Sequence, residues 1–485
     1  MNSKRFLALM SGILILISSA ACGENAEIKN NTDSPGTTVA EEVIEEEKEQ
    51  DYISSLGSLD MQGQTIRLIG FQSAPRVSFP EDNEMGEPIN DALFKRDLEL
   101  KERFGIDFQY IQFDDPYNVL GAVDKAVTAA SDEYDIIFAS MNPTAAALVT
   151  KGELLSYDNI PYVDLSQKWW SSYNDTVQII GKQYIPSGII TPFYYTALYI
   201  TLYNKRLADN CGIEDPSRLV LDGMWTVDKQ AAMMSGVTSD IDGDGKLGKD
   251  DLWALVYDDV AGFGYYIGAG QKMTEFDSDG IPYLAMDSEA SVSIITRLAA
   301  AFGDRSSALR DEDYAKNTEI EIFSDGRALF NATTFVWIPW RYRSMDDDYG
   351  VLPMPMLEEA QGQYFSYSQP REARSVCVPV TNTKLDVTGL VIEAMACLSD
   401  DYIRNAAYET TFKTKLTRDS ESAQILDIVA NVSTYDLNVL FNWGGTAGIL
   451  RESVLGKYSD FMSKYEKQRE KAQAEIDALI ATISE

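Results

Sequence analysis

The segment QTIRLIGFQ, Gln64–Gln72, alternates and then turns apolar, which predicts a β-strand. From Asn90 to Phe104 the apolar residues Ala92, Leu93, Leu98, Leu100 and Phe104 recur at helical spacing. IDFQYIQF, Ile106–Phe113, predicts a second strand, and VLGAVDKAVTAA, Val119–Ala130, a second helix. YDIIFA, Tyr134–Ala139, is nearly all apolar, the pattern of a strand covered on both faces. A further helix is expected from Pro143 to Thr150, because proline suits a first helical turn. Strand, helix, strand, helix, strand is the order of an α/β lobe with a largely parallel sheet.

Downstream the pattern changes. YYTALYITLY, Tyr194–Tyr203, predicts an aromatic-rich strand that crosses into a second lobe. Helices are expected over Ser288–Phe302, Glu319–Asn331, Val387–Leu398 and Ser453–Ile483. The last is long and amphipathic, with Leu455, Tyr458, Met462 and Tyr465 along one side, so it should pack on the body. Gly350–Leu352 and Ser375–Val380 read as strands.

Upstream, Lys4 and Arg5 precede an apolar run, Phe6–Ile17, that is too short to cross a bilayer. Small residues follow and lead to Cys22, so residues 1–21 read as a secretory signal peptide. A cysteine directly after Ala20 and Ala21 resembles the lipobox of bacterial lipoproteins, which implies lipidation of its thiol and an anchor in the membrane's outer face. Ser19 stands where leucine is commonest in that box. Residues 22–62 then read as a tether: Asn25–Ala40 is polar, and Glu41–Asp51 is nearly continuous carboxylate that solvates and repels itself.

The formal charge of −35 argues against nucleic-acid binding, which needs basic patches on phosphates. Only Cys211, Cys377 and Cys397 accompany Cys22, so no disulfide framework exists; a single Cys377–Cys397 bridge and free thiols both remain open. The chain has no histidine, which removes Ser-His-Asp and Cys-His catalysis, HExxH zinc sites and histidine bases. Two-carboxylate glycoside hydrolysis survives that filter, but no acid pair stands out among 76 Asp and Glu.

An ordered series of short pieces resembles the extracellular solute-binding proteins of ABC sugar importers, the family-1 group of Gram-positive bacteria. They are YDIIFAS (Tyr134–Ser140), DLSQKWW (Asp164–Trp170), ALYITLYNKRL (Ala197–Leu207), GRALFN (Gly326–Asn331), YGVLPMP (Tyr349–Pro355), SVCVPVTNT (Ser375–Thr383) and YDLNVLFNW (Tyr435–Trp443). The resemblance implies an α/β fold of the two-lobed periplasmic-binding-protein type (type II) with a ligand cleft between lobes. It implies no catalysis: a monomer captures a carbohydrate, closes, and presents itself to the permease subunits of an ABC transporter. Lobe 1 is expected at about 63–190 and 345–415, and lobe 2 at about 191–344 and 416–485.

A sugar site wants aromatic platforms for C–H faces and planar polar groups for hydroxyls. Phe71, Ser140 and Asn142 lie at or just beyond the carboxyl ends of predicted strands, where α/β crevices bind ligands. Trp337, Trp340 and Arg341 (VWIPWRYR) follow the GRALFN piece, where the resemblance places a cleft aromatic. Arg371 lies in a polar loop, and Trp443 precedes two glycines. Trp169 and Trp170 read as structural. Abundant aromatics, 7 Trp, 26 Tyr and 19 Phe, lean towards an oligosaccharide.

Asp240–Asp251 (DIDGDGKLGKDD) matches a calcium loop of the EF-hand type. Asp240, Asp242 and Asp244 occupy positions 1, 3 and 5, Lys246 offers a carbonyl, and Asp251 closes the loop with a shorter arm than glutamate. Its flanks do not read as a helix pair, so a structural Ca2+ is expected, not a sensor. The glycines of GFGYYIG, Gly262–Gly268, miss the dinucleotide pattern by one residue and sit outside a βαβ unit. Two alternatives to a transport receptor are a carboxylate-dependent glycosidase and a ligand-binding lipoprotein serving a sensor kinase.

Overall fold

The computed structural model describes residues 52–57, 59, 61–72, 78–311, 317–416 and 420–484. The signal peptide, Cys22 and the acidic run to Asp51 lie outside them. A first sheet contains β1 (Thr65–Phe71), β2 (Asp107–Phe113), β3 (Ile136–Ser140) and β12 (Arg374–Cys377) in the order β12-β3-β1-β2. β1 pairs in parallel with β2 and β3, and β12 runs antiparallel to β3. All five residues of β3 are buried, as its apolar run predicts.

The alternation along β1 explains why both faces are covered. Ile66 and Leu68 pack with Leu93 and Leu100 of the Pro88–Phe104 helix. Ile69 and Phe71 point the other way, to Val119 and Val123 of the Pro116–Thr128 helix. Each connecting helix has a local reason to start or stop. Gly105 ends the first in the left-handed region, at φ 65°. The Asp115 carboxylate caps the second by accepting from Tyr117 N at 2.8 Å, with Pro116 in the first turn.

The second sheet contains β4 (Tyr199–Asn204), β5 (Trp253–Tyr257), β8 (Ala308–Arg310), β9 (Ala328–Thr334) and β10 (Tyr349–Leu352), ordered β10-β4-β9-β5-β8. β5 is parallel to β8 and β9, whereas β4 runs antiparallel to β9 and β10. A hairpin of β6 (Thr274–Phe276) and β7 (Pro282–Leu284) stands apart from it. The crossover segments lie side by side: Leu198 bridges Ser368, and β11 (Ser366–Tyr367) pairs in parallel with β13 (Ser433–Thr434).

Several boundaries differ from the expected ones. Packing starts inside the stretch read as tether: Tyr52–Ser55 is a helical turn, and Ile53 and Met61 are buried in the core. Tyr349–Leu352 joins the second sheet, not lobe 1, because it pairs with β4. The Phe461–Ser484 helix, expected in lobe 2, spans both halves: Phe461 and Tyr465 lie in the core that holds Ile295 and Leu298, whereas Ala472, Ile476, Leu479 and Ile483 pack with Ile69 and Ile137. The helix expected over Glu319–Asn331 stops at Ser324, where Gly326 takes φ 71° and the chain continues as β9. The helix expected from Ser453 is broken by Gly456 at φ 73° and restarts at Phe461. Cys377 and Cys397 form no disulfide; Cys377 is buried, which pushes its thiol up to about 12.

Candidate functional site

The carboxyl ends of β1 and β3 meet the start of β12 at one edge of the first sheet. There the predicted residues Phe71, Ser140 and Asn142 converge with the Arg371 loop. Ser140 Oγ donates to Arg371 O at 2.5 Å, Asn142 N to Pro370 O at 3.1 Å, and Asn142 Nδ2 to Leu440 O at 2.6 Å. These bonds hold the 370–373 turn against the strand ends and leave the Arg371 side chain exposed.

Arg374, which the sequence reading missed, is the centre of this edge. It is 1% exposed, and its guanidinium carbon lies 4.8 Å from the Phe71 ring and 4.2 Å from the Phe193 ring. Nη1 donates to the carbonyls of Arg371 and Glu372 at 2.9 and 2.8 Å. The aromatic faces and carbonyl oxygens offset the loss of water around a buried cation. Phe71 is therefore a packing surface for arginine, not a platform open to solvent. The available signal was an arginine directly before an apolar strand, ARSVCV, where a solvated charge does not fit.

The second sheet brings its own edge to the same crossover. Phe335 N donates to Leu198 O at 2.8 Å and Val336 N to Thr196 O at 3.0 Å, while Gln369 N donates to Ala197 O at 2.8 Å. Residues 196–198 thus lie between the end of β9 and the segment that leads to Arg371. Just beyond Val336, Trp337 and Trp340 stack with centroids 5.4 Å apart and planes 1° apart, and the Arg341 guanidinium carbon is 5.2 Å from the Trp340 ring. Trp337 is buried, whereas Trp340 is 42% exposed. Trp337 thus backs one face of the Trp340 ring, and the Arg341 guanidinium lies over that ring as well.

At the end of β5, Tyr199 OH donates to Asp258 Oδ1 at 2.6 Å, and burial pushes this carboxyl up to about 7. The adjacent Asp259 pairs with Arg451 at 2.8 Å. Trp443 does not join the site. It is buried with Phe441 stacked on it at 5.3 Å and packs with Ala472 and Ile476 of the last helix.

Trp169 and Trp170, expected to be structural, are both buried. Their Nε1 atoms each donate to Glu393 at 3.2 Å. They back a cavity of about 700 Å3 that Asn174, Tyr194, Arg404 and Asn431 also line. The decoy glycines are explained by packing: a Cβ at Gly264 would meet the Tyr199 ring at 2.6 Å, and one at Gly268 would meet Met354 Cβ at 2.6 Å. They let the Ala261–Gly268 helix press onto its neighbours, and no nucleotide loop is present there.

In the calcium-type loop the carboxylates of Asp240, Asp242 and Asp244 converge within 4.8 Å of one another, and all three residues are exposed. Asp251 is outside that trio. It is buried and closes the loop, accepting from Ile241 N at 2.9 Å and Gly248 N at 2.7 Å. These backbone donors hold its carboxyl below the usual range. Lys246 N donates to Asp244 Oδ1 at 2.8 Å. The flanks are the Val227–Met234 helix and strand β5, so the loop is not set in a helix pair.

The overall architecture matches solved structures. The galacto-N-biose/lacto-N-biose I-binding protein of an ABC transporter from Bifidobacterium longum aligns over 86% of this chain and 98% of its own, with a TM-score of 0.56 at 14% identity. A cyclic maltosyl-maltose-binding protein from Arthrobacter globiformis aligns over 87% and 99%, at 0.54 and 12%. The ABC substrate-binding protein Lmo0181 from Listeria monocytogenes, solved with cycloalternan, aligns over 87% and 100%, at 0.51 and 15%. The fold is that of the two-lobed ABC solute-binding proteins. No family model and no curated protein matches the sequence. Arg371 and Arg374 stand at the edge of the first sheet, and the Trp337–Trp340 pair stands just beyond the end of β9 in the second.

Proposed function

We propose that this chain is the substrate-binding lipoprotein of an ABC transporter, held on the outer face of the cell membrane through Cys22, and that it delivers an oligosaccharide to the permease. The observation that carries the carbohydrate reading is the half-exposed Trp340, stacked on buried Trp337 and flanked by Arg341, on a fold whose solved relatives bind cycloalternan and lacto-N-biose. An indole face suits the C–H side of a pyranose, and guanidinium donors suit its hydroxyls. Function is then affinity and closure, with no bond made or broken.

Isothermal calorimetry of the mature protein against maltotetraose, lacto-N-biose and cycloalternan tests this reading. Micromolar or tighter binding of at least one glycan is expected. No heat from these or from a wider glycan panel sinks it. Mass spectrometry of the membrane-extracted protein tests the anchor; a mature N-terminus at Cys22 carrying diacylglycerol is expected, and an unmodified cysteine refutes it.

The Asp240–Asp251 loop we assign to a structural Ca2+. Three exposed carboxylates within 4.8 Å repel one another, and a hard divalent cation offsets that repulsion. The ion would tie the chain between the Val227–Met234 helix and β5, without touching the sugar site.

A further inference from the structure

The β6–β7 hairpin is an arm that reaches from one half of the molecule to the other. It springs from between the Ala261–Gly268 and Glu289–Phe302 helices, which belong with the second sheet: Gly264 presses on Tyr199 of β4, and Tyr257 OH of β5 donates to Phe302 O at 3.1 Å. Its base is fixed on a crossover, because Asp436 accepts from Met273 N at 2.8 Å, Thr274 N at 3.1 Å and Thr274 Oγ1 at 2.9 Å. Its tip is stiffened by Asp277, whose Oδ1 accepts from Asp279 N and Ile281 N, both at 2.9 Å.

That tip touches the first half. Ile180 N donates to Gly280 O at 3.0 Å, and a Cβ at position 280 would lie 3.3 Å from Gly181 N and 3.4 Å from Ile180 Cα. Ile180 sits in a tight turn closed by reciprocal Ile179–Lys182 backbone bonds of 3.0 Å, and Ile179 packs in the core beside Ile69 and Ile137. Ile180 itself has φ 47°. A β-branched residue is disfavoured there, and such a conformation persists only where surrounding contacts hold it. The N–H that this conformation turns outward is the one that meets Gly280.

We propose that the β6–β7 hairpin is a latch: its tip at Gly280, docked on the strained Ile180 turn, holds the two halves in one relative orientation and must release before they can swing about the crossovers. The proposal rests on the two-lobed receptor reading for its purpose but not for its test. Releasing a contact made in only one arrangement shifts the population between arrangements, and with it the apparent affinity of any ligand that selects one of them.

Two variants test it. Gly280→Val places a branched side chain against Ile180 and Gly181 and displaces the tip, which is at the surface, so folding should survive. Ile180→Cys with Gly280→Cys locks the contact on oxidation. Small-angle X-ray scattering without ligand should give different radii of gyration for Gly280→Val and for the oxidised pair, with reduction of the pair moving its curve towards that of Gly280→Val. The Kd for maltotetraose, where that sugar binds, should differ at least threefold between the two. Identical ligand-free scattering for wild type, Gly280→Val and the oxidised pair overturns the latch. Failure of the receptor reading shows separately, as absence of glycan binding to the wild type.

Discussion

Trp340 is half-exposed because its own neighbour occupies its inner face. Trp340→Ala should therefore weaken glycan binding at least tenfold while costing less than about 1.5 kcal/mol of stability, the range of a lost aromatic pair. Calorimetry and a melting curve on the same sample separate the two; unchanged affinity removes Trp340 from the site. The residue was legible because it follows the GRALFN piece, after which the resemblance places a cleft aromatic. Arg374 was not read, although its place directly before the apolar run SVCV is the mark that sets it apart from a solvated arginine. Glu393 was not read either. It is buried and accepts from Tyr52 OH, both indole Nε1 atoms and Asp164 N, yet burial outweighs these donors and pushes its carboxyl up to about 6. A raised acid pKa means that the folded state holds the proton more tightly than the unfolded chain. Its contribution is thus full below pH 4.5 and is lost as pH rises through about 6. The stability advantage of wild type over Glu393→Gln, from urea unfolding, should shrink by about 2 kcal/mol between pH 4 and pH 7. A pH-independent difference contradicts the assignment.

At the scale of elements, the first five were readable because each carried a period and a boundary signal. β3 was wholly apolar, and the Pro116–Thr128 helix had Asp115 and Pro116 at its start. The failures came where apolar runs lacked a clear period. Glu319–Asn331 was read as one helix across Gly326, which in the structure ends the helix and opens β9. The calcium-type loop was legible as spacing alone, since its carboxylates act through positions and not through packing. Adding 1 mM Ca2+ to EDTA-treated protein should raise Tm, and Asp240→Ala with Asp244→Ala should abolish that rise while leaving the metal-free Tm within about 1 °C, as expected for exposed side chains. A rise that survives both substitutions places the ion elsewhere.

The arrangement of the whole molecule was the least legible, because long-range pairing decides it. That Tyr349–Leu352 would join β4, or that the end of the last helix would pack with Ile69 and Ile137, follows from long-range contacts that no local pattern carries. One consequence can be argued from β5 alone. Asp251, which closes the calcium-type loop, lies two residues before its first, and Asp258 and Asp259 follow its last. Five strand residues at roughly 3.3 Å each put about 16 Å between loop and site edge. Sites separated by more than about 10 Å with no shared partners act additively. Calcium and a bound glycan should therefore raise Tm by increments that sum, and the glycan Kd should change less than twofold between calcium and EDTA. The strand between them is wholly buried and paired on both sides, so it has no second arrangement through which one ligand might bias the other. Calorimetric titration in both buffers decides it: a larger change in Kd means that β5 transmits, and the loop then belongs to the binding mechanism.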